Sequence, residues 1–204
     1  YGSVGKPLTK HLGVFINEKN SEIKIKNPWP GCMINCLNGD EIWKKYFDYK
    51  KNFKLFDYGE IKSKQHFFVN GRIDDVINIR GHRVGSGEVE SILLKNSFIK
   101  EACAIAIDDE IEGKKLIIFI SVKKKISLHN IENIIVKNFG EFLKPKKIFF
   151  INELPKTRSG KILRRVLRNI YEKPNKKKLG DLSTIVNTKN LFQIIKVVKN
   201  EKNK

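Results

Sequence analysis

Two short apolar runs, Ala102 to Ile107 and Leu116 to Val122, constrain this chain more than any other feature. Runs of this length and composition read as buried strands, and the elements around them must supply cover. Gly87-Glu88 opens a helix that places Val89, Ile92, Leu93 and Asn96 on one face, with Glu88 and Glu90 suited to its positive N-terminal end. Ser127 is the expected N-cap of a second helix carrying Leu128, Ile131, Ile134, Ile135 and Phe139, and Gly140 lies near its end. Lys147 to Ile151 is a third strand, and Lys161 to Tyr171 reads as a final amphipathic helix with Ile162, Val166 and Ile170 inward. The order helix, strand, strand, helix, strand, helix implies a small α+β layer domain with flanking helices on a mixed sheet.

The first seventy residues have a different character. Val14, Ile16, Ile23 and Ile25 alternate loosely around an Asn17-Glu18-Lys19-Asn20 turn, which predicts a hairpin. Pro28-Trp29-Pro30-Gly31 breaks that pattern, and Leu55-Phe56 with Phe67-Phe68-Val69 predicts a second strand pair joined by the polar stretch Glu60 to Gln65. The change from this β-rich part to the layered part falls at Gly71-Arg72-Ile73-Asp74-Asp75.

Composition removes several classes of function. A hydrophobic content of 40% with 13 Phe is too rich for a disordered chain, and no apolar run approaches the ~20 residues of a membrane span. Cys32, Cys36 and Cys103 are too few for a secreted disulfide scaffold, which points to a reducing, cytoplasmic setting. The N-terminus lacks both an initiator Met and the pattern of a signal peptide, so a longer parent chain is expected. The formal charge of +19 suggests a polyanionic ligand, and thirteen bases against Glu153 and Glu172 are concentrated between Lys144 and Lys178. A solvated basic face explains the same stretch, and Lys scattered beside Asn and Ile elsewhere reflects compositional bias.

Two clusters carry chemistry. Gly71 to Asn78, followed by Gly81-His82-Arg83-Val84-Gly85, interleaves glycine with Arg and Asp in a segment whose backbone can approach a ligand; a turn between domains is the alternative. Leu154-Pro155-Lys156-Thr157-Arg158-Ser159-Gly160-Lys161 is a loop between strand and helix, with Pro155 and Gly160 fixing its shape. Lys161 is expected at the helix start, where a cation is locally unfavourable, and it suits a phosphate or carboxylate whose negative charge shifts during reaction. Cys32 and Cys36 lack a second ligand pair for zinc, and His11, His66, His82 and His129 show no ligand spacing. Trp29 and Trp43 read as packing anchors.

The runs Gly71 to Ser91 and Pro155 to Arg165 resemble two signature motifs of the adenylate-forming acyl-CoA synthetases, most closely the acetyl-CoA synthetase branch. Pro28-Trp29-Pro30-Gly31, Asn38-Gly39-Asp40, Tyr46-Phe47 and Leu179 to Thr184 match in the same order. The resemblance implies activation of acetate by Mg-ATP to acetyl-adenylate and pyrophosphate, followed by transfer of acetyl to CoA. It implies that residues 1–72 are the β-rich end of a large AMP-binding domain and residues 73–204 a C-terminal lid domain that rotates between the steps.

Roles follow by position. Asp57 matches the carboxylate on the ribose hydroxyls of ATP or AMP, Arg72 an adjacent nucleotide contact, and Arg83 an Arg on the ATP phosphates. Asp74 matches the hinge. Lys161 matches the catalytic lysine of adenylation, whose acetylation silences the family's enzymes. Arg80 and Gly81 would line the CoA channel, Val136 and Lys137 fall where an Arg meets CoA, and the backbone carbonyls of Leu94, Asn96 and Ile99 match a cation site. The family's Gly before the ribose-binding Asp is Phe56 here, and its Ser in the CoA loop is Arg80. The implied partners are acetate, ATP, CoA with Mg2+, and the large N-terminal domain whose phosphate loop precedes this region, so the chain alone is expected to be inactive. A propionyl-CoA synthetase and a non-catalytic nucleotide- or nucleic-acid-binding module are the alternatives; neither a membrane nor nucleic acid is expected as partner.

Overall fold

The computed structural model describes residues 3–34, 37–62, 65–111, 113–173, 179, 182 and 185–202. The chain folds as two compact units, Tyr1–Asp74 and Asp75–Lys204.

In the first unit, β1 (Val14–Ile16), β2 (Glu22–Ile25), β3 (Phe53–Lys62) and β4 (His66–Arg72) form one antiparallel sheet in that order, and α1 (Asp40–Lys45) lies between β2 and β3 in the chain. The Asn17 to Asn20 turn joins β1 to β2 as expected, and β3 extends to Lys62, through the first half of the stretch expected as a connection. Aromatic rings supply much of the packing: Phe53 meets Trp29 edge-on at 5.2 Å and stacks with Tyr46 at 5.7 Å, and Trp43 packs on Phe47 at 4.9 Å. Lys24 is buried with partners on two sides, Asp48 at 3.0 Å and Glu22 at 3.4 Å, so its charge is compensated. At Gly59, beside a register shift, a Cβ would lie 2.1 Å from the Phe68 carbonyl oxygen, so only glycine lets β3 and β4 approach this closely.

The second unit is layered. After the hairpin β5 (Val76–Ile79) and β6 (His82–Gly85) comes α2 (Ser86–Leu94). A three-stranded sheet follows, in which β7 (Ile99–Asp109) pairs antiparallel with β8 (Gly113–Val122), and β9 (Lys147–Phe150) pairs parallel with β8. The connection from β8 to β9 runs through α3 (Leu128–Phe139), and α4 (Arg164–Glu172) and α5 (Thr188–Lys202) complete the unit. Alternation along β7 and β8 explains the apolar runs. Ala102, Ala104, Ala106, Leu116, Ile118 and Ile120 belong to a core shared with α2, α3 and the hairpin, whereas Cys103, Ile105, Ile117 and Phe119 belong to another shared with α4 and α5. Ser127 caps α3 by accepting the Asn130 N–H at 3.2 Å, and Gly140 stands at the other end with φ +101°.

Three expectations change. The glycine-containing segment after Asp75 is a β-hairpin rather than a turn between domains; Val76, Ile77, Ile79 and Val84 are buried while Asn78 and Arg83 are exposed, a pattern too short and too irregular to stand out as alternation. The helix expected from Lys161 begins at Arg164, because Lys156 and Ile162 pair across the loop and hold residues 161–163 extended. That helix is not the last: α5 follows, with Leu191, Ile194 and Val198 buried in the second core.

The turn of the hairpin makes a testable point. Only Arg80 and Gly81 separate the paired residues Ile79 and His82, and their φ values are +49° and +80°. Two positive φ angles are the requirement of a type I′ turn, in which Asn-Gly is favoured. Arg80→Asn is expected to raise stability by about 1 kcal/mol, since an ordinary side chain in this region costs roughly that much. Thermal unfolding checks it, and a lowered midpoint would contradict it.

Candidate functional site

Asp57 and Arg72 sit opposite each other in the ladder of β3 and β4. Arg72 Nη1 is 3.4 Å from Asp57 Oδ1 and donates to the Leu55 carbonyl at 3.2 Å, while its Nε donates to Asp74 Oδ1 at 3.2 Å. One guanidinium thus gathers Asp57 and Asp74 at the surface of the first unit. Phe56, immediately before Asp57, has φ +59°, and its ring meets Tyr46 edge-on at 5.4 Å with Arg72 over its face at 5.8 Å. The backbone bend that glycine would adopt freely is therefore made here by an aromatic residue held from two sides. Asp57 can accept from a vicinal diol, the chemistry expected at this position.

Lys161 belongs to the second unit. Thr157 donates its N–H to the Lys161 carbonyl at 2.9 Å and accepts the Lys161 N–H on Oγ1 at 3.1 Å. Gly160 donates to the Thr157 carbonyl at 2.9 Å and has φ +83°. This is a three-residue hairpin loop closed by a left-handed glycine. At its base Leu163 donates to the Pro155 carbonyl at 2.9 Å, and on its outer side Val186 donates to the Lys156 carbonyl at 3.2 Å. Lys161 is thus exposed at the mouth of a loop whose backbone is pinned on both sides.

Two acids anchor the loop. Glu101 accepts the Leu154 N–H at 3.1 Å and pairs with Lys156. Burial works to raise the Glu101 carboxyl, but the Lys156 ammonium and the Leu154 N–H outweigh it and hold the group below the usual carboxylate range. Glu90 is 8% exposed, takes Arg164 Nη2 at 2.5 Å and Nε at 3.2 Å, and accepts the Ala104 N–H at 2.9 Å. Burial lifts the Glu90 carboxyl above its ordinary range, with the guanidinium and the Ala104 N–H pulling the other way. Neither anchor is among the residues expected from sequence. Glu90 reads from sequence only as suited to the start of α2 beside Glu88, and Glu101 as an acid near the start of a buried strand; burial is what makes each need a cation.

The remaining expected positions are dispersed. Arg83 is exposed on β6 opposite Asn78. Arg80 lines a groove of about 670 Å³ with Lys115, Glu132, Phe142, Lys144 and Lys146, whereas Val136 and Lys137 lie farther along α3 and do not line it. The Asn96 carbonyl accepts the Ile99 N–H at 3.0 Å, Leu94 ends α2, and Ile99 opens β7. Among the described residues no group of three or more His, Cys, Asp or Glu side chains gathers as for a metal ion, and no helix is long and apolar enough to cross a membrane. Cys36 and most of the Leu179 to Thr184 segment lie outside the described residues. Within the basic stretch, Lys144, Lys147, Lys156 and Arg164 are paired with Glu132, Glu201, Glu101 and Glu90, so part of its charge serves the fold.

Residues 88–161 match the family model of the AMP-binding enzyme C-terminal domain. The chain is 33% identical to acetyl-coenzyme A synthetase 2 of Kluyveromyces lactis over 207 residues, covering 91% of this chain and 30% of that protein. It is 35% identical to acetyl-coenzyme A synthetase of Herminiimonas arsenicoxydans over 191 residues, covering 87% of this chain and 29% of that protein. The chain therefore spans about a third of the length of these relatives. Its fold is similar to that of acetoacetyl-CoA synthetase from Streptomyces lividans, with a TM-score of 0.73 at 20% identity over 88% of this chain and 28% of that one. The chain carries a match to the AMP-binding enzyme C-terminal domain and belongs to the acetyl-coenzyme A synthetase family.

Proposed function

We propose that this chain acts as the C-terminal part of an acetate–CoA ligase that forms AMP, with residues 1–72 completing the large AMP-binding domain and residues 73–204 serving as its lid. The observation that carries this reading is the Lys161 hairpin, which presents a flexible cation on a backbone pinned at both strands. A rigid base with a mobile charged tip suits a group that must meet developing negative charge in one orientation and withdraw in the next.

In the first step a carboxylate oxygen of acetate attacks the α-phosphorus of ATP, and the bond to the β-phosphate oxygen breaks to release pyrophosphate. Lys161 lies between the two anions and offsets their repulsion, Asp57 accepts hydrogen bonds from the ribose hydroxyls, Arg72 contacts the nucleotide beside it, and Arg83 meets the phosphates. Mg2+ accompanies ATP and offsets charge on the phosphates when bound. In the second step the CoA sulfur attacks the acetyl carbonyl and AMP leaves. The chain turns at Asp74 between the steps, so that Lys161 withdraws and the Arg80-Gly81 turn faces the thiol; Gly81 presents no side chain to the pantetheine arm. Lys137 offers a cation to the CoA phosphates beside Val136, and the carbonyls of Leu94, Asn96 and Ile99 offer oxygen ligands to a cation at the end of α2.

The reading is tested by a graft in which this chain replaces the matching stretch of the Herminiimonas arsenicoxydans synthetase. Acetyl-CoA formation from acetate, ATP and CoA is the expected result. Binding of duplex DNA at physiological salt by a chain that leaves the graft inert would overturn it.

A further inference from the structure

We propose that Glu90 and Arg164 are positioning residues for Lys161, joining the base of its hairpin to Asp75 beside the hinge. This rests on the role given to Lys161 above. Arg164 is the first residue of α4 and lies three positions after Lys161. A cation at this end of a helix is opposed by the helix dipole, and Leu163 before it gives α4 no side-chain cap. The guanidinium is held instead from outside the helix. Two of its nitrogens grip the Glu90 carboxylate at 2.5 and 3.2 Å, and the third reaches Asp75 Oδ2 at 3.7 Å.

Glu90 is fixed in turn by a third partner, since it accepts the Ala104 N–H at 2.9 Å from β7, a strand that lies between the two cores of the unit. The pair therefore joins α2, β7, α4 and the segment leaving the hinge. The Leu163 N–H closes the hairpin on Pro155 one residue before Arg164, so a shift of Arg164 is passed directly to the loop that carries Lys161. A planar fork on a buried carboxylate fixes direction as well as distance, which a lysine at 164 would not do. Turning at Asp74 would then carry Asp75, the ion pair and the Lys161 hairpin as one body.

The test uses Glu90→Gln, which keeps an acceptor for the Ala104 N–H but removes the charge, and Arg164→Lys, which keeps the charge but loses the fork. Exposed Arg165→Lys is the control. In the graft, acetate-dependent ATP–pyrophosphate exchange is expected to fall ten- to a hundredfold in kcat, with KM for acetate and ATP within twofold. Thioester formation from supplied acetyl-adenylate should be unchanged. In the 204-residue chain, trypsin should cut after Arg158 and Lys161 several-fold faster in both variants, with cutting after Lys19 in the first unit unaltered. An equal fall in both half-reactions, or unchanged cutting at the hairpin, would overturn the proposal. If the unmodified graft catalyses no exchange, the role of Lys161 fails by itself and the cutting pattern alone decides whether the ion pair holds the loop.

Discussion

Lys161→Ala in the graft is expected to lower acetate-dependent ATP–pyrophosphate exchange by ~100-fold or more, the scale seen when one group stabilising developing charge is removed. Formation of acetyl-CoA from supplied acetyl-adenylate should stay within a few-fold of the unmodified graft. The asymmetry follows from chemistry: attack of acetate on the α-phosphate brings two anions together, whereas attack of a thiol on a mixed anhydride does not. It also follows from structure, because the Lys161 side chain is exposed and its backbone bonds to Thr157 survive truncation to Ala. Loss of folding cannot then account for loss of exchange, and unfolding midpoints of variant and parent should agree. Lys161→Gln should behave like the Ala variant, since it keeps a long polar side chain but removes the charge. Equal loss of both half-reactions would contradict a role confined to adenylation.

The second large effect concerns stability. Gly59→Ala is expected to cost ~3 kcal/mol or more, at the upper end of overpacking penalties, because its Cβ would meet the Phe68 carbonyl oxygen at 2.1 Å. Ile23 Cδ1 at 3.1 Å blocks the space beyond, so the strands must part. Separation of β3 from β4 would also undo the register that places Asp57 opposite Arg72, and nucleotide contacts should weaken with it. Gly87→Ala is the control: nothing lies within 4 Å of its Cβ and it belongs to the first turn of α2 in the second unit, so the midpoint of the first unit should not move. Denaturant unfolding followed by Trp fluorescence reports the first unit selectively, since Trp29 and Trp43 are the only Trp residues and both belong to it. A Gly59→Ala chain with an unaltered midpoint would show that β3 and β4 are not so closely opposed.

The layered unit was legible wherever periodicity and capping coincided. Ala102 to Ile107 and Leu116 to Val122 could be read as buried strands because alternate residues enter two different cores, leaving no polar face. Ser127 could be read as a cap because its hydroxyl has a local partner three residues on. The β5–β6 hairpin was obscured by its brevity, its four-residue strands carrying Asn78, His82 and Arg83 outward. The start of α4 was misplaced because Ile162 falls on the helical face but is held by its cross-loop pairing with Lys156. The helix α5 has a readable stripe in Leu191, Ile194 and Val198, blurred by the further apolar residues Phe192, Ile195 and Val197 between them. Nothing local could pair Glu90 with Arg164 across 74 positions, since such a contact exists only once α2 and α4 meet β7.

The departures from the family pattern also take on physical meaning. Phe56 and Arg80, which stand where the family has Gly and Ser, both have positive φ. At each place the special backbone geometry is present without the residue that adopts it most easily. At Phe56 the aromatic contacts with Tyr46 and Arg72 offset that cost.

The central claim is that this chain delivers Lys161 to an adenylating site. Its most direct measurement is acetate-dependent incorporation of labelled pyrophosphate into ATP by the graft, set against the same Herminiimonas arsenicoxydans host lacking the replaced stretch. Exchange that needs both acetate and the grafted chain is the predicted result. A folded graft that catalyses no more exchange than the shortened host would contradict it.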